Sequence, residues 1–201
     1  MTQHSATMRL LDEETRDLHA DVDAYWLDLM ASGVTKDSYR AQLIRVFGFE
    51  APFESALAYT PHLIVPDRRD LTRSGLIAQD LLALGITPAK ITALPQCPEI
   101  APFEDPAEAL GWKYVAERPT QLHSAIKRNI VSRVADSANA LAYLSAYDGV
   151  AAARWQQLGV LLENVAARPG AQSKLVKAAK TAFTCMGAWF RAHKNHDHAA
   201  L

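Results

Sequence analysis

Cysteine is nearly absent from this chain: Cys97 and Cys185 are the only two in 201 residues. Two cysteines make no disulfide framework, and the chain fits a reducing compartment. Glycine (9) and proline (10) are too few for a collagen-like or linker protein. Neither sign of charge dominates, with 21 Lys and Arg against 22 Asp and Glu and a net charge of −1. That balance lacks the basic excess of a nucleic-acid binder, so no nucleic-acid partner is expected. No apolar run approaches the about 18 residues of a membrane span, so no membrane partner is expected. Met1 to Leu10 lacks a basic segment followed by an apolar one, which argues against a signal peptide and for a cytoplasmic protein. The Gly-x-Gly-x-x-Gly, P-loop, Gly-x-Ser-x-Gly, His-Glu-x-x-His and Cys-x-x-Cys motifs are all missing.

What is present is a globular composition, 49% hydrophobic and 21% charged, on a length suited to one domain over residues 1–201. Its strongest pattern is helical. Leu11, Leu18, Val22, Tyr25 and Leu29 share one helix face, and Ser32-Gly33 ends that helix. A second helix starts near Ser38 and carries Leu43, Val46, Phe47 and Phe53; Pro52 predicts a kink or break between Gly48 and Pro52. A third runs from about Asp67 to Leu84 and stops at Gly85. Residues 86–106, with five prolines, form a surface loop holding at most one helical turn. Asp105-Pro106 opens a fourth helix that reaches about Val134 and bends at Pro119. A fifth starts at Asp136 or Ser137 and ends near Tyr147. Ala151 to Val165 and Leu175 to Trp189 mark the last two, followed by a His-rich tail over 192–201. No stretch alternates with period two. The expected fold is all-α, a single multi-helix bundle of about seven helices.

The chemistry then rests on seven histidines. His19 lies about 60° from Val22 and about 20° from Trp26 on the helical wheel, at the edge of the apolar stripe. Asp23 is one turn ahead and can orient the ring; Arg16 is three residues back. An imidazole with a basic neighbour on an apolar border suits a heme-iron ligand with a propionate partner. A boundary histidine paired with Asp23 is the plainer reading of the same spacing. His123 shares a face with Ile126 and Ile130. Cys97-Pro98 is a loop dipeptide whose thiolate can ligate iron, or an ordinary loop cysteine. His193, His196 and His198 with Asp197 form a loose metal-chelating tail or a solvated one. Arg68-Arg69 and Lys127-Arg128 read as solvated faces, the latter within reach of an acidic ligand.

The run Leu10-Leu-Asp-Glu-Glu-Thr-Arg-Asp-Leu-His-Ala-Asp-Val-Asp23 resembles the first helix of the heme oxygenases. Phe47 to Glu54 resembles the second-helix segment of bacterial, biliverdin-producing members. Asp80 to Gly85, Gly111 to Glu117, Tyr147 to Trp155 and Lys177 to Phe183 resemble later helices in the same order. The resemblance implies a heme-oxygenase-like domain with heme as its ligand, His19 as the proximal ligand of the heme iron and Arg16 at a propionate. It implies cleavage of heme to biliverdin, carbon monoxide and ferrous iron, with an electron donor as partner.

The departures fall on the distal helix. The family has a glycine-rich kink there, whereas this chain has Glu117-Arg-Pro-Thr-Gln-Leu-His-Ser124. Arg118, Leu122 and His123 stand in glycine positions, and Leu122 and His123 add bulk on the oxygen side. Glu50 stands where many bacterial members have tyrosine, and Asp148 is expected to repel propionates. The distal candidates are Glu117, Gln121 and His123, the last as hydrogen-bond donor, sixth iron ligand or mere filler of the pocket. Three functions follow: a heme oxygenase with low or altered activity, a non-catalytic heme or tetrapyrrole binder, and a protein-interaction module that kept only the fold.

Overall fold

The computed structural model describes residues 5–63 and 72–194. Arg68-Arg69, His196, Asp197 and His198 lie outside them. Among the described residues there is no strand. There are nine α-helical segments: α1 (Ala6–Leu27), α2 (Lys36–Ala58), α3 (Arg73–Ala83), α4 (Pro88–Thr92), α5 (Pro106–Glu117), α6 (His123–Arg133), α7 (Ala142–Ser145), α8 (Ala151–Ala166) and α9 (Ala171–Ala192). With α4 and α7 only a turn or so long, seven helices are substantial, and the all-α expectation holds. Among the described residues no helix is long and apolar enough to cross a membrane.

The caps follow from sequence. Ser5 accepts from the Met8 amide at the start of α1, Thr35 and Ser38 cap each other at α2, and Asp105 accepts from the Ala107 and Glu108 amides ahead of α5. The core is one contiguous cluster in which α9 packs along both α1 and α5. The α5–α9 approach is close because Gly111 has no side chain: a Cβ there would lie 2.6 Å from the Ala178 Cβ.

Three segment expectations are corrected. First, α2 is continuous through Pro52 instead of breaking. Proline removes the amide that would bond the Gly48 carbonyl one turn back. That carbonyl instead accepts from the Cys97 amide at 2.8 Å. The loop carrying Cys97 thus replaces the missing hydrogen bond, and it can do so because a Cβ on Gly48 would meet Trp189 and the Pro95 carbonyl at 2.4 and 2.6 Å. Second, the fourth helix does not run unbroken to Val134. It tightens into a 3-10 turn over Arg118–Leu122, where Pro119 lacks an amide, before α6 resumes. Third, no full helix spans 137–147. Asp136 is left-handed (φ 58°), a 3-10 turn covers Ser137–Asn139, and α7 has four residues. The buried Asp80 carboxylate accepts from the Ala142 and Tyr143 amides at 2.7 and 2.9 Å, and so fixes where α7 begins. The third helix is seen from Arg73.

Candidate functional site

His19 is half-buried on α1 with its ring 4.9 Å from that of Phe183 on α9. The Thr15 hydroxyl donates to the Leu11 carbonyl at 2.6 Å and lies 2.9 Å from His19 Nε2. Its proton is therefore committed, and it accepts from Nε2–H. On the other side Arg118 lies 3.2 Å from Nδ1. A guanidinium only donates, so Nδ1 must accept. Both arguments give a neutral imidazole with its proton on Nε2. Burial and the Arg118 charge push the His19 pKa down, against Asp12 and Asp23, which favours the same state. As folded, the ring has no open lone pair: Nδ1 is bonded and Nε2 is protonated.

Asp23 does not touch the ring directly. It forms an ion pair with Arg118, which reaches His19. The turn that replaces the expected glycine kink is thereby tied to α1. Arg16 is mostly exposed, 3.9 Å from Asp12. It lies on a cleft of about 310 Å³ between α1, α5 and α8 with Arg9, Arg118, Met8, Tyr114 and Trp155; Asp12 and Glu13 share the rim. Tyr114 and Trp155 approach at 5.7 Å between ring centroids. The cleft therefore offers aromatic walls and three arginines against two carboxylates.

The distal candidates separate. Gln121 is exposed. Glu117 is buried and bonded to Lys113 at 2.8 Å, with Arg73 at 3.5 Å. Burial alone would raise its carboxyl; Lys113 and Arg73 hold it below the usual range. His123 is 2% exposed, wedged between Trp26 and Tyr143 at 5.7 and 4.8 Å. Neither of its ring nitrogens has a hydrogen-bond partner among the described residues. Burial, with Arg73 nearby, pushes its pKa to about 3, so it is neutral. Leu122 is partly buried against the core.

Sequence reasoning missed the centre of this second region. Arg73 is fully buried and bonds Glu50 at 2.7 Å. Glu50 is pushed up to about 7 by burial, with Arg73 opposing. Among the described residues the Arg73 Nε and the Tyr147 hydroxyl also lack hydrogen-bond partners. In the sequence Glu50 stands out only as a residue in a position where many bacterial family members have tyrosine. A glutamate between Val46 and Phe53 on the buried side of α2 was the available sign of a buried cation. Asp148, expected to repel propionates, instead pairs with Lys127 at 2.5 Å. His193 stacks on Trp189 at 3.7 Å and packs at the end of α9.

The donor set suits heme: an imidazole on an apolar border and a basic, aromatic-walled cleft beside it. The seam between His19 and Arg118 is closed by their hydrogen bond, so entry requires Arg118 to move. The sequence profile of the family described as heme oxygenase matches residues 5–192. Among curated proteins no sequence matches the chain.

Proposed function

The chain belongs to the heme oxygenase family, and we propose on that premise that it binds heme along the seam between α1 and the α5–α6 turn. His19 ligates the iron, Arg16 meets a propionate, and Asp23 acts through Arg118. One observation carries the reading: the His19–Arg118–Asp23 chain beside the arginine-lined cleft. When Arg118 moves, the Nδ1 lone pair that faces the seam becomes free for the iron, while Nε2–H stays bonded to Thr15. Arg118, released, becomes a further cation for a carboxylate ligand. Bound heme supplies the iron on which oxygen is reduced, with electrons from a separate donor.

On the distal side we propose slow turnover. Oxygen chemistry needs space and a polar network, and His123 occupies the space with a ring that finds no hydrogen-bond partner among the described residues. Glu117 and His123 can contribute to such a network only with waters bridging the unmet atoms of His123, Arg73 and Tyr147. Gln121 takes no part from its exposed position. The same filled region supports a second reading, a module that holds a tetrapyrrole without degrading it.

Hemin titration followed by oxygen and reductant tests both. A Soret band that loses its histidine-ligated character in His19→Ala is expected, with slow biliverdin formation in the wild type. An unchanged spectrum in His19→Ala would move the ligand to His123 or Cys97. No spectral change in the wild type would leave only the fold and a role in protein contacts.

A further inference from the structure

Where the loop that follows α4 meets α9, Cys97, Glu99 and Cys185 bring one donor atom each to within 4.8 Å of one another. The two sulfurs are 3.4 Å apart and not bonded, and the Cys97 Sγ lies 3.2 Å from a Glu99 carboxylate oxygen. We propose that these three residues form a binding site for one soft divalent cation of the zinc class, with water in the fourth position.

The donor chemistry fits. Two thiolates and a carboxylate are ordinary zinc ligands, and bonds of about 2.3 Å at tetrahedral angles put two sulfurs about 3.8 Å apart. The observed spacing requires a shift of only a few tenths of an ångström. The framework is rigid where it matters. Cys185 sits in the middle of a 22-residue helix. Cys97 is held by its amide on the Gly48 carbonyl, the one that Pro52 leaves without a partner in α2. Glu99 is exposed and adjusts to the ion. A groove of about 890 Å³ runs past Pro98, Glu99, Cys185 and Trp189 and supplies both the entry path and the space for the fourth ligand. Binding balances without an oxidant: the cation replaces two thiol protons, which leave to solvent. A disulfide would use only the sulfurs, needs an oxidant and gives Glu99 no role.

The test uses the full chain, free of heme and kept reduced with a phosphine, titrated with Zn²⁺ and separately with Co²⁺. One equivalent of either is expected, with a thiolate-to-cobalt charge-transfer band in the near ultraviolet and tetrahedral visible bands. Cys185→Ser should weaken zinc binding about 100-fold and halve the charge-transfer band. Glu99→Gln should weaken it about tenfold and leave that band at full strength. Both positions are at least partly exposed, and helical circular dichroism checks that each variant folds. Cobalt binding without a thiolate band, zinc binding undiminished in Cys185→Ser, or disulfide formation in air by a chain that takes up no zinc would each overturn the proposal.

Discussion

The two histidines of the candidate site are the same chemical group in opposite situations. His19 is half-exposed and both of its nitrogens are engaged, one by Thr15 and one by Arg118. His123 is sealed between Trp26 and Tyr143, and among the described residues neither of its nitrogens has a hydrogen-bond partner. Each is neutral near pH 7, His19 with Arg118 as its donor and His123 because burial disfavours charge. A satisfied, accessible imidazole is set to exchange its partner for a ligand. A buried one without partners costs stability unless water or a ligand meets it. Proximal binding and distal filling are therefore separable properties of this chain, and substitutions can address them one at a time.

The largest effect is expected from the charges behind His123. Arg73→Ala leaves the Glu50 and Glu117 carboxyls in the core without their shared guanidinium. Breaking a buried pair in this way costs roughly 3–5 kcal/mol, so the variant should unfold at much lower urea than the wild type. A loss below about 1 kcal/mol would mean that the network is hydrated and the distal region is not sealed.

His123→Leu sharpens the contrast through pH. In the unfolded chain this imidazole takes a proton below about 6.5, but in the fold only near pH 3. Between those values unfolding takes up a proton, so this group makes stability rise with pH and fall on acidification, by up to about 1.4 kcal/mol per pH unit. Glu50 has the opposite sign: raised from 4.5 to about 7, it favours the fold as pH falls through that window. The two oppose each other in the wild type. Urea denaturation at pH 6.5 and pH 4.5 should therefore show His123→Leu gaining stability relative to wild type as the solution is acidified. Equal pH slopes would mean that His123 is solvated in the fold.

Opening the distal side gives the next effect. Leu122→Gly with His123→Gly should raise biliverdin formation, on the order of tenfold or about 1.4 kcal/mol of barrier, measured with hemin, oxygen and reductant supplied. Rapid wild-type turnover that the glycines slow would show that His123 works in the reaction instead of blocking it. The smallest effect is expected on the proximal rim. Arg16 is 68% exposed and its Asp12 contact is long, so Arg16→Ala should change folding stability by less than about 0.5 kcal/mol. It should weaken hemin binding a few-fold, and unaltered binding would assign the propionate to Arg9 or Arg118.

Most of the long helices and their order were legible in the sequence because helix periodicity and caps are local: Leu11, Val22, Tyr25 and Leu29 mark the inner face of the first helix without reference to any other segment. The histidine on that stripe and its colinear resemblance to the heme oxygenases were legible for the same reason. What Pro52 does was not, because the carbonyl it strands is met by an amide 45 or more residues away, that of Cys97. Nor was the start of α7, set by Asp80 from another helix. Arg118 read as a lost glycine; only the crossing of α1 with the distal turn makes it the bridge between Asp23 and His19. Arg73 offered no motif, since a single arginine becomes a buried counter-ion only when Glu50 and Glu117 arrive from two other helices. Local pattern decided which helices form and which faces they bury. Partners drawn from distant parts of the chain decided which polar groups are satisfied, neutral or left waiting, because that depends on distances in space that spacing along the chain does not contain.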